Sequence, residues 1–453
     1  MNKKKILSLT LGAFILASGI SGCGKDENAS QTPSEVPQTS GDAVLPSSEV
    51  KGEITFVNHR TDMMNGKWDE YAKKFNEKYP NVKVKFEAMA DYEGEIAIRM
   101  NSSNYGDVLM MPAKMKDSDL PSFFIPLGKK NELEKKYNFV QDRYVGEDTY
   151  GIPTAGSCSG IVYNKKVFEQ AGIASLPKSP EEFIEDLKLI KEKTSAIPLY
   201  TNYKDSWALN QWESYRVNTS GDPNFVNQVL PHTDKPFTMG SPHYILYKLL
   251  YDVVKEKLVE KDPMTTDWES SKQMLPDGKI ATMPLGIWAV GQMKAKAKNP
   301  EDVCYMPFPY QKDGRMYSSA AGDYKICVNK NSKNIEAAKA WLWWFVNESN
   351  FAYNESMIPP LKDAEYPDTL KEFQMMNVEM VVDNGPKDGE NGWLDAIDKE
   401  SEVGLWAENF KKDIVETALG NKKNRTYDDI MEELNKKWSD TRKKLIQDGK
   451  IKA

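Results

Sequence analysis

Histidine and cysteine, which most often carry nucleophilic or metal chemistry, are scarce in this 453-residue chain, with three of the first and four of the second. His59, His232 and His243 stand in no motif, and the chain has no H-E-x-x-H, no G-x-x-x-x-G-K-[ST] and no G-x-G-x-x-G. Nothing therefore supports a zinc hydrolase, a P-loop nucleotidase or a dinucleotide-dependent enzyme. Carboxylates are numerous enough that a glycosidase pair stays open, but none stands out. We expect no catalytic residue, metal or cofactor.

Positive charge is also in short supply. The formal net charge is −7 and the isoelectric point is near 5.4, with acids and lysines interspersed along the chain. This balance argues against nucleic acid as a partner and suits a soluble surface. The length is sufficient for two or three domains with cores of their own.

The amino terminus carries a short apolar run. Three lysines at 3–5 precede the apolar residues 6–20, which are too few for a comfortable transmembrane helix and end in the sequence I-S-G-C. This ending resembles the lipobox of bacterial lipoproteins; an ordinary secretory signal or an uncleaved anchor is the alternative. We predict that residues 1–22 are a lipoprotein signal peptide and that Cys23 becomes the lipidated mature amino terminus.

A polar segment follows the predicted lipid site. Residues 24–50 are rich in Ser, Thr, Pro, Asn and Asp and hold few large apolar residues, so they cannot bury enough surface to offset the entropy of ordering. We expect residues 23–50 to be the lipidated cysteine and a flexible tether. The three later cysteines have no metal-ligand spacing, allow at most one disulfide, and are expected to be small buried residues: Cys158, Cys304 and Cys327.

The first globular part alternates strands with helices. Strand patterns at 54–57, 82–86 and 106–111 enclose a helix whose apolar face carries Trp68 and Phe75. This order predicts a parallel sheet with right-handed crossovers. Ligands of such sheets bind beyond the carboxyl ends of strands. The positions that follow these ends are His59 to Asp62, Asp91 with Tyr92, and Met111 with Pro112.

The segment 150–173, YGIPTAGSCSGIVYNKKVFEQAGI, joins two apolar strand patterns through a run of small residues. Small residues accommodate large changes of φ and ψ, so the segment fits a hinge between two lobes as well as it fits an ordinary strand bend. Its G-S-C-S-G centre also has the shape of a nucleophile elbow around Cys158. A thiol nucleophile needs a histidine beside it, and no histidine motif supplies one, so the hinge is the preferred interpretation.

Several of these motifs together resemble a known family. The GIP…YNK-x-x-F-x-x-AGI run, the F-x-x-x-YP-x-V-x-V pattern followed by GDV, the segment 278–288 (GKIATMPLGIW) and the segment 320–324 (AAGDY) are typical of extracellular solute-binding proteins of sugar ABC transporters, the broad group of maltose-binding protein. The resemblance covers nearly all of the mature chain. It implies a two-lobe α/β fold in which each lobe is a mixed sheet flanked by helices.

The resemblance also implies an organisation and partners. Lobe 1 would comprise 51–157 plus 306–346, and lobe 2 would comprise 158–305 plus 347–453, including the carboxyl-terminal helices. A monomer would stand on the extracellular face of the bacterial membrane, held by its lipid anchor alone. It would bind a sugar or oligosaccharide in the interlobe cleft, close on it, and deliver it to the permease subunits.

Eleven tryptophans and 21 tyrosines form an aromatic surplus that suits sugar binding, because aromatic rings cover the C–H face of a sugar while polar groups bond its hydroxyls. By family position, the expected ligand-binding residues are His59, Arg60, Asp62, Asp91, Trp207, Trp288, Asp323 and Tyr324. Structural roles stay open for each; Trp288 could fill lobe 2 and Asp62 could cap a helix. Trp341, Trp343 and Trp344 lie in an apolar helical run that favours a core. An acidic loop at 383–390 fits no EF-hand and is expected to be a solvated turn.

Two other functions remain open on the sequence alone. The same fold could bind a non-sugar solute such as a peptide or a polyamine. The chain could also be a surface hydrolase that acts on a polysaccharide. Binding without turnover of a sugar separates the expected function from both.

Overall fold

The computed structural model describes residues 46–452 apart from 90 and 114, and for Ser206 it describes the backbone alone. The predicted signal peptide, Cys23 and nearly all of the predicted tether lie outside these residues. Within the described part of the chain, no helix combines the length and the apolar character that crossing a membrane requires.

The strands share short to medium lengths and are distributed over three sheets. They are β1 (Gly52–Asn58), β2 (Val82–Ala88), β3 (Val108–Met110), β4 (Gly128–Lys129), β5 (Tyr144–Val145), β6 (Asp148–Thr149), β7 (Ile152–Pro153), β8 (Gly156–Asn164), β9 (Ile197–Leu199), β10 (Ile280–Gly286), β11 (Val303–Met306), β12 (Tyr317–Gly322), β13 (Lys325–Val328) and β14 (Glu379–Val381).

Helices flank the two larger sheets. They are α1 (Lys67–Lys78), α2 (Tyr92–Arg99), α3 (Leu120–Phe123), α4 (Lys130–Lys136), α5 (Lys165–Ala171), α6 (Pro180–Lys193), α7 (Ser206–Asn210), α8 (Arg216–Ser220), α9 (Pro242–Lys255), α10 (Trp268–Met274), α11 (Trp288–Lys294), α12 (Ile335–Asn347), α13 (Phe351–Asn354), α14 (Lys371–Met375), α15 (Trp393–Ser401), α16 (Asn409–Ala418) and α17 (Tyr427–Gln447).

The first sheet has the strand order β2-β1-β3-β13-β7. Its β1 pairs in parallel with both β2 and β3, while β13 and β7 complete the sheet in antiparallel fashion. The α/β alternation of the sequence therefore predicted this part correctly. Its core joins the apolar faces of α1 and α12 to β1, with Phe56 and Trp341 in contact at 5.9 Å between ring centroids.

The second sheet has the order β14-β12-β8-β10-β9, with β11 also pairing with β8. Strand β8 is its centre, antiparallel to β10, β11 and β12. The carboxyl-terminal helices α15, α16 and α17 pack into the larger of the hydrophobic clusters around this sheet, where Trp438 is fully buried. A mixed α/β architecture with two large sheets and separate cores results, as the sequence predicted.

The chain passes between the two sheets at residues 154–155, between β7 and β8, and returns at 323–324, between β12 and β13. These crossings are bonded to each other: Thr154 N donates to Tyr324 O at 3.1 Å, and Asp323 N donates to Ala155 O at 2.8 Å. A third segment joins them through Ile358, which exchanges two backbone hydrogen bonds with Gly156. We call these three bonded segments the crossing ribbon.

The chain returns to the first sheet at a later residue than the sequence predicted. Residues 306–322 were expected in lobe 1, whereas β12 pairs with β8 and so belongs to the second sheet. The physical reason is that β12 extends the second sheet by antiparallel pairing until Gly322, and only then does the chain enter β13 of the first sheet. The first crossing differs by a few residues, at 154–155 instead of 157–158. Helix α13, expected in lobe 2, packs through Phe351 in the first core.

Candidate functional site

The ends of the strands from both sheets meet at the crossing ribbon. In the first sheet, β1 ends before His59, and β13 begins directly after Tyr324. In the second sheet, β12 ends at Gly322, β8 begins at Gly156, and β10 ends two residues before Trp288. The crossings join β7 to β8 and β12 to β13, and strand pairing puts the ends of β1 and β10 at the same edges of their sheets, so the side chains that follow these ends lie at the junction of the two sheets. We call this junction the cleft edge.

Arg60 organises the charged part of the cleft edge. Its Nε donates to Asp62 Oδ1 at 2.8 Å and its Nη2 to Asp62 Oδ2 at 2.7 Å, while Nη2 also donates to Glu355 Oε2 at 2.5 Å. The side chains of Arg60 and Glu355 are 13% and 11% exposed, whereas that of Asp62 is 53% exposed. Asp62 is therefore the carboxylate of this group that solvent or a ligand reaches.

The charges of this group are strongly coupled. Burial raises the pKa of Asp62, but its hydrogen bonds and charge interaction with Arg60 outweigh that effect and lower it overall. Burial likewise lowers the pKa of Arg60, and the two carboxylates more than compensate, so the net shift is upward. At neutral pH the group holds the Arg60 guanidinium against the ionised carboxylate of Asp62, with donor and acceptor atoms in fixed directions.

Glu355 ties this group to the second sheet. A Cβ atom added at Gly291, in helix α11, would lie 2.8 Å from the backbone oxygen of Glu355. Helix α11 therefore packs directly on the backbone that carries the Arg60 partner. The ion pair of the first sheet and the helix that begins at Trp288 are thus in contact, although they are far apart in sequence.

Three tryptophans form the aromatic part of the cleft edge. The ring centroids of Trp207 and Trp268 are 5.2 Å apart, and Trp288 lies 5.7 Å from each of them. Trp288 also packs on the small cluster of Ala155, Ala352 and Met357, and Trp207 remains 41% exposed. We call Trp207, Trp268 and Trp288 the tryptophan cluster; it offers an indole surface to solvent, backed by two further rings.

The position of the Trp288 ring requires glycine at residue 286. A Cβ atom at Gly286 would lie 2.5 Å from Trp288 Nε1, which real contacts do not allow. The absence of a Cβ at this position therefore leaves the space that the indole of Trp288 occupies beside the end of β10.

His59 and Tyr324 stack on each other where the first sheet meets the crossing ribbon. Their ring centroids are 4.3 Å apart with an interplanar angle of 28°. Burial, reinforced by the charge of Arg60, lowers the pKa of His59 to about 4, so its imidazole is neutral at pH 7. Its Nδ1 is buried and has no hydrogen-bond partner among the described residues. A neutral imidazole with an unpartnered nitrogen is a candidate hydrogen-bonding group for a ligand hydroxyl.

Asp323 lies in the crossing ribbon itself. It is half-buried, and burial raises its carboxyl pKa, while the amide of Tyr324 and the charge of Arg60 oppose this shift. Tyr324 donates its hydroxyl to Glu93 Oε1 at 3.3 Å. The two residues that the sequence singled out at 323–324 therefore present an acceptor and an aromatic ring at the junction of the sheets.

Asp91 does not join this group. Its carboxylate accepts a hydrogen bond from Gly94 N at 3.3 Å and caps the amino terminus of α2. It is exposed, and its oxygen is used locally. The structure thus supplies a capping role for Asp91 and brings together His59, Arg60, Asp62, Trp288, Asp323 and Tyr324, with Trp207 attached through the tryptophan cluster.

Sequence reasoning missed Glu355 and Trp268. Glu355 follows a stretch with no motif and reaches Arg60 across 295 positions of sequence, so no local signal announces it. Trp268 is the first residue of α10 and follows the N-cap residue Asp267. The surplus of aromatic residues was visible in the sequence, but it did not show which rings contact each other. Both were accessible only through the three-dimensional arrangement.

The elbow-like G-S-C-S-G segment is not an elbow. Residues 156–164 form one continuous strand, in which Cys158 is 3% exposed and a free thiol. Burial raises its pKa far above the usual range, which disfavours the thiolate that a nucleophile needs. Two histidines pair instead with carboxylates, His243 with Glu213 and His232 with Glu390. Within the described residues, no cluster of three or more His, Cys, Asp or Glu side chains has an arrangement that would hold a metal ion.

A family model described as bacterial extracellular solute-binding protein matches residues 64–350 of this chain. Among curated proteins, the multiple sugar-binding protein of Streptococcus mutans is 23% identical over 307 residues, which cover 65% of this chain and 71% of that protein.

Solved structures show higher similarity. A manno-oligosaccharide-specific solute-binding protein from Bifidobacterium animalis subsp. lactis, in complex with mannotriose, is 40% identical, with a TM-score of 0.78 over 88% of this chain and 96% of that one. A second binding protein of an ABC transporter from the same organism, in complex with mannobiose, is 42% identical, with a TM-score of 0.78 over 89% of this chain and 98% of that one.

Proposed function

Because this chain belongs to the family of bacterial extracellular solute-binding proteins, we propose that it binds a short oligosaccharide of mannose type between its two sheets. It then delivers this sugar to the permease of an ABC importer. The chain acts as a monomer and performs no covalent chemistry. The division into two lobes that close on the ligand follows the two sheets, with 154–155 and 323–324 as the crossings.

The observation that carries this proposal is the composition of the cleft edge. An exposed indole stands on one side, in the tryptophan cluster, and a fixed guanidinium–carboxylate pair, Arg60 with Asp62, stands near the other. A pyranose needs both: an aromatic plane for its C–H face and directed donors and acceptors for its hydroxyls. The manno-oligosaccharides bound by the two similar proteins from Bifidobacterium supply the sugar class.

Ligand selectivity follows from desolvation. A hydroxyl that matches Asp62, Arg60 and Asp323 replaces their bonds to water, whereas an epimer leaves one of them unpaired in a closed cleft. An unpaired buried polar group costs roughly 1–3 kcal/mol, about a fivefold to 150-fold loss of affinity. Binding that contacts both lobes favours the closed state by the difference in affinity between the two states.

The position outside the cell is proposed to depend on Cys23. Its lipobox-like context and the polar segment behind it support a diacylglycerol anchor followed by a tether. The anchored domain then remains close to the permease, which raises the local concentration of loaded protein at the transporter.

Calorimetric titration of the mature soluble chain with mannobiose, mannotriose, maltotriose, a short peptide and spermidine tests this function. We expect saturable binding of the manno-oligosaccharides, no reducing ends released on prolonged incubation, and a flat response to peptide and polyamine. In the same assay Trp288→Ala should weaken binding at least tenfold, about 1.4 kcal/mol, because it removes an aromatic surface of the cleft edge. Binding of only the peptide or the polyamine would show that the ligand is a non-sugar solute. Release of reducing ends from a sugar would show that the protein is a hydrolase.

A further inference from the structure

Two segments leave the same edge of the second sheet and carry two of the three indoles of the tryptophan cluster. Strand β9 runs parallel to β10, and its last residue forms a parallel bridge to Val259. The segments that follow, 200–207 and 260–268, therefore leave the sheet at the carboxyl end of β10, which lies at the cleft edge. We call them the Trp207 segment and the Trp268 segment after their last residues.

Side chains of each segment bond to the backbone of the other. The links include Glu260, whose carboxylate accepts from Thr201 N at 2.9 Å and from the Thr201 hydroxyl, Thr266 Oγ1, which accepts from Lys204 N at 2.8 Å, and Tyr200 Oη, which accepts from Asp267 N at 2.9 Å. Glu260 and Thr201 are buried, with 5% and 3% of their surfaces exposed. Because buried hydrogen bonds are shielded from competing water, these links join the two segments into one unit.

Asp205 makes the link that lies closest in sequence to the indoles. Its Oδ2 accepts a hydrogen bond from Trp268 N at 2.8 Å. Its backbone oxygen accepts from Ala208 N at 2.9 Å, in the helical turn that carries Trp207. The side chain is half-buried. One residue therefore bonds to the backbone of Trp268 and to the turn of Trp207 at the same time.

Trp268 supports the exposed indole of Trp207. The two rings meet edge to face, with an interplanar angle of 89°. The ammonium of Lys272 lies 5.1 Å from the centroid of the Trp268 ring, and the Lys272 side chain is 13% exposed. With this cation and Trp288 also packed against it, the Trp268 ring has little freedom to turn. The position of its backbone therefore sets the angle at which Trp207 is presented to solvent.

The orientation of such an indole pair matters for a sugar. Dispersion contacts between a ring and the C–H face of a sugar fall off within fractions of an ångström, so a tilted ring loses many of them together. A surface that is already fixed also loses little conformational entropy when the ligand binds. The bond from Trp268 N to Asp205 supplies this order before any ligand arrives.

We propose that Asp205 is a positioning residue for sugar binding, which fixes the Trp207–Trp268 pair through its bond to Trp268 N. This inference rests on the proposed function and assigns part of the affinity to a side chain that acts through the indoles. The role requires an acceptor atom at this position and not a negative charge. Asparagine should therefore replace Asp205, because its Oδ1 accepts the same bond, whereas alanine should not.

A double-mutant cycle tests this role. The mature chain is titrated by calorimetry with mannobiose and mannotriose as wild type, Asp205→Ala, Trp268→Ala and the double variant. Asp205→Ala should weaken binding about tenfold alone and less than about twofold in the Trp268→Ala background, where the ring that it positions is already absent. Asp205→Asn should stay within about threefold of wild type, and Asp205→Ser, with a shorter acceptor, should lie between Asn and Ala.

Two further measurements separate positioning from a general structural role. Asp262→Ala removes a carboxylate of the same segment that accepts from Met264 N within its own turn, and it should bind like wild type. Near-ultraviolet circular dichroism reports indoles held in fixed packing. Without ligand, this signal should change in Asp205→Ala and should match wild type in Asp205→Asn.

The outcomes distinguish the inference from the function beneath it. Wild type that binds no manno-oligosaccharide refutes the proposed function, and the effect of Asp205 on affinity with it. Wild type that binds them refutes the positioning role alone if Asp205→Ala binds equally well, if its loss is the same in both backgrounds, or if Asp205→Asn loses as much. Thermal unfolding of each variant shows whether a loss of affinity comes from unfolding; if Asp205→Ala does not fold, the order of Asn, Ser and wild type decides.

Discussion

Acid should destabilise this protein through His59. The imidazole is buried against Tyr324 and beside Arg60, and its folded pKa is lowered from 6.5 to about 4. In the unfolded chain it accepts a proton near pH 6.5, so between pH 6.5 and 4 the unfolded state binds more protons than the folded state. The free energy of unfolding therefore falls as the pH drops through this window and is unaffected by His59 above it.

The size of this effect follows from the two pKa values. With values of 6.5 unfolded and about 4 folded, a single site contributes about 2.5 kcal/mol of lost stability at pH 4.5 relative to pH 7.5. His59→Phe keeps an aromatic ring against Tyr324 but cannot be protonated, so it should lack this loss. His59→Gln cannot be protonated either but removes the stacked ring, so it should be less stable at both pH values and show the same reduced pH dependence.

Urea unfolding at pH 7.5 and pH 4.5, followed by tryptophan fluorescence, measures the effect. We expect the drop in unfolding free energy between the two pH values to be about 2.5 kcal/mol larger in wild type than in His59→Phe. Carboxylates contribute equally to the drop in both proteins and cancel in the comparison. An equal drop in both would show that His59 binds its proton as readily when folded as when unfolded, and would refute the burial argument.

Two further predictions concern the fold and the anchor. Gly160→Ala should lower the free energy of unfolding by about 1–3 kcal/mol or more, because its Cβ would lie 2.7 Å from both Met306 O and Tyr305 Cζ. Gly385→Ala, with open space around it, should match wild type in thermal unfolding. Equal melting temperatures of the two variants would mean that β8 and β11 tolerate separation. Cys23→Ser in the full-length protein should move it from the membrane fraction to the medium or the soluble fraction, and retention in the membrane would point to an uncleaved anchor.

Patterns that repeat locally were readable from the sequence. The periodic apolar face with Trp68 and Phe75, the alternation in β2 and the apolar run of α12 each act within one element, and all three are found where they were expected. The helix start at Thr426 has the reciprocal capping bonds with Asp429. The Ser-x-x-Glu sequence at Ser179 forms only half of a capping box, since the Glu182 carboxylate accepts from Lys178 N. Local sequence patterns thus predict where helices and strands form better than they predict the capping hydrogen bonds at the ends of helices.

Strand pairs and ion pairs between residues far apart in the sequence could not be predicted from it. Strand β12 was expected in the first lobe because the return to that lobe was placed at residue 306, but its pairing with β8 depends on backbone partners some 160 positions away in sequence. The same holds for Arg60 with Glu355 and for Arg216 with Asp383. Residues that follow strand ends were predicted by the rule for open α/β sheets, whereas those brought in by loops, such as Glu355, follow no period or motif.

The crossing ribbon limits how the two halves of this molecule can move. Its segments do not run as separate tethers, because backbone hydrogen bonds join Thr154 to Tyr324, Ala155 to Asp323 and Gly156 to Ile358. A bonded ribbon bends across its width far more readily than it stretches or shears, since bending keeps the hydrogen bonds that shearing would break. Opening and closing are thereby reduced to essentially one coordinate. In the proposed function, a ligand held at the cleft edge needs to bias only that coordinate.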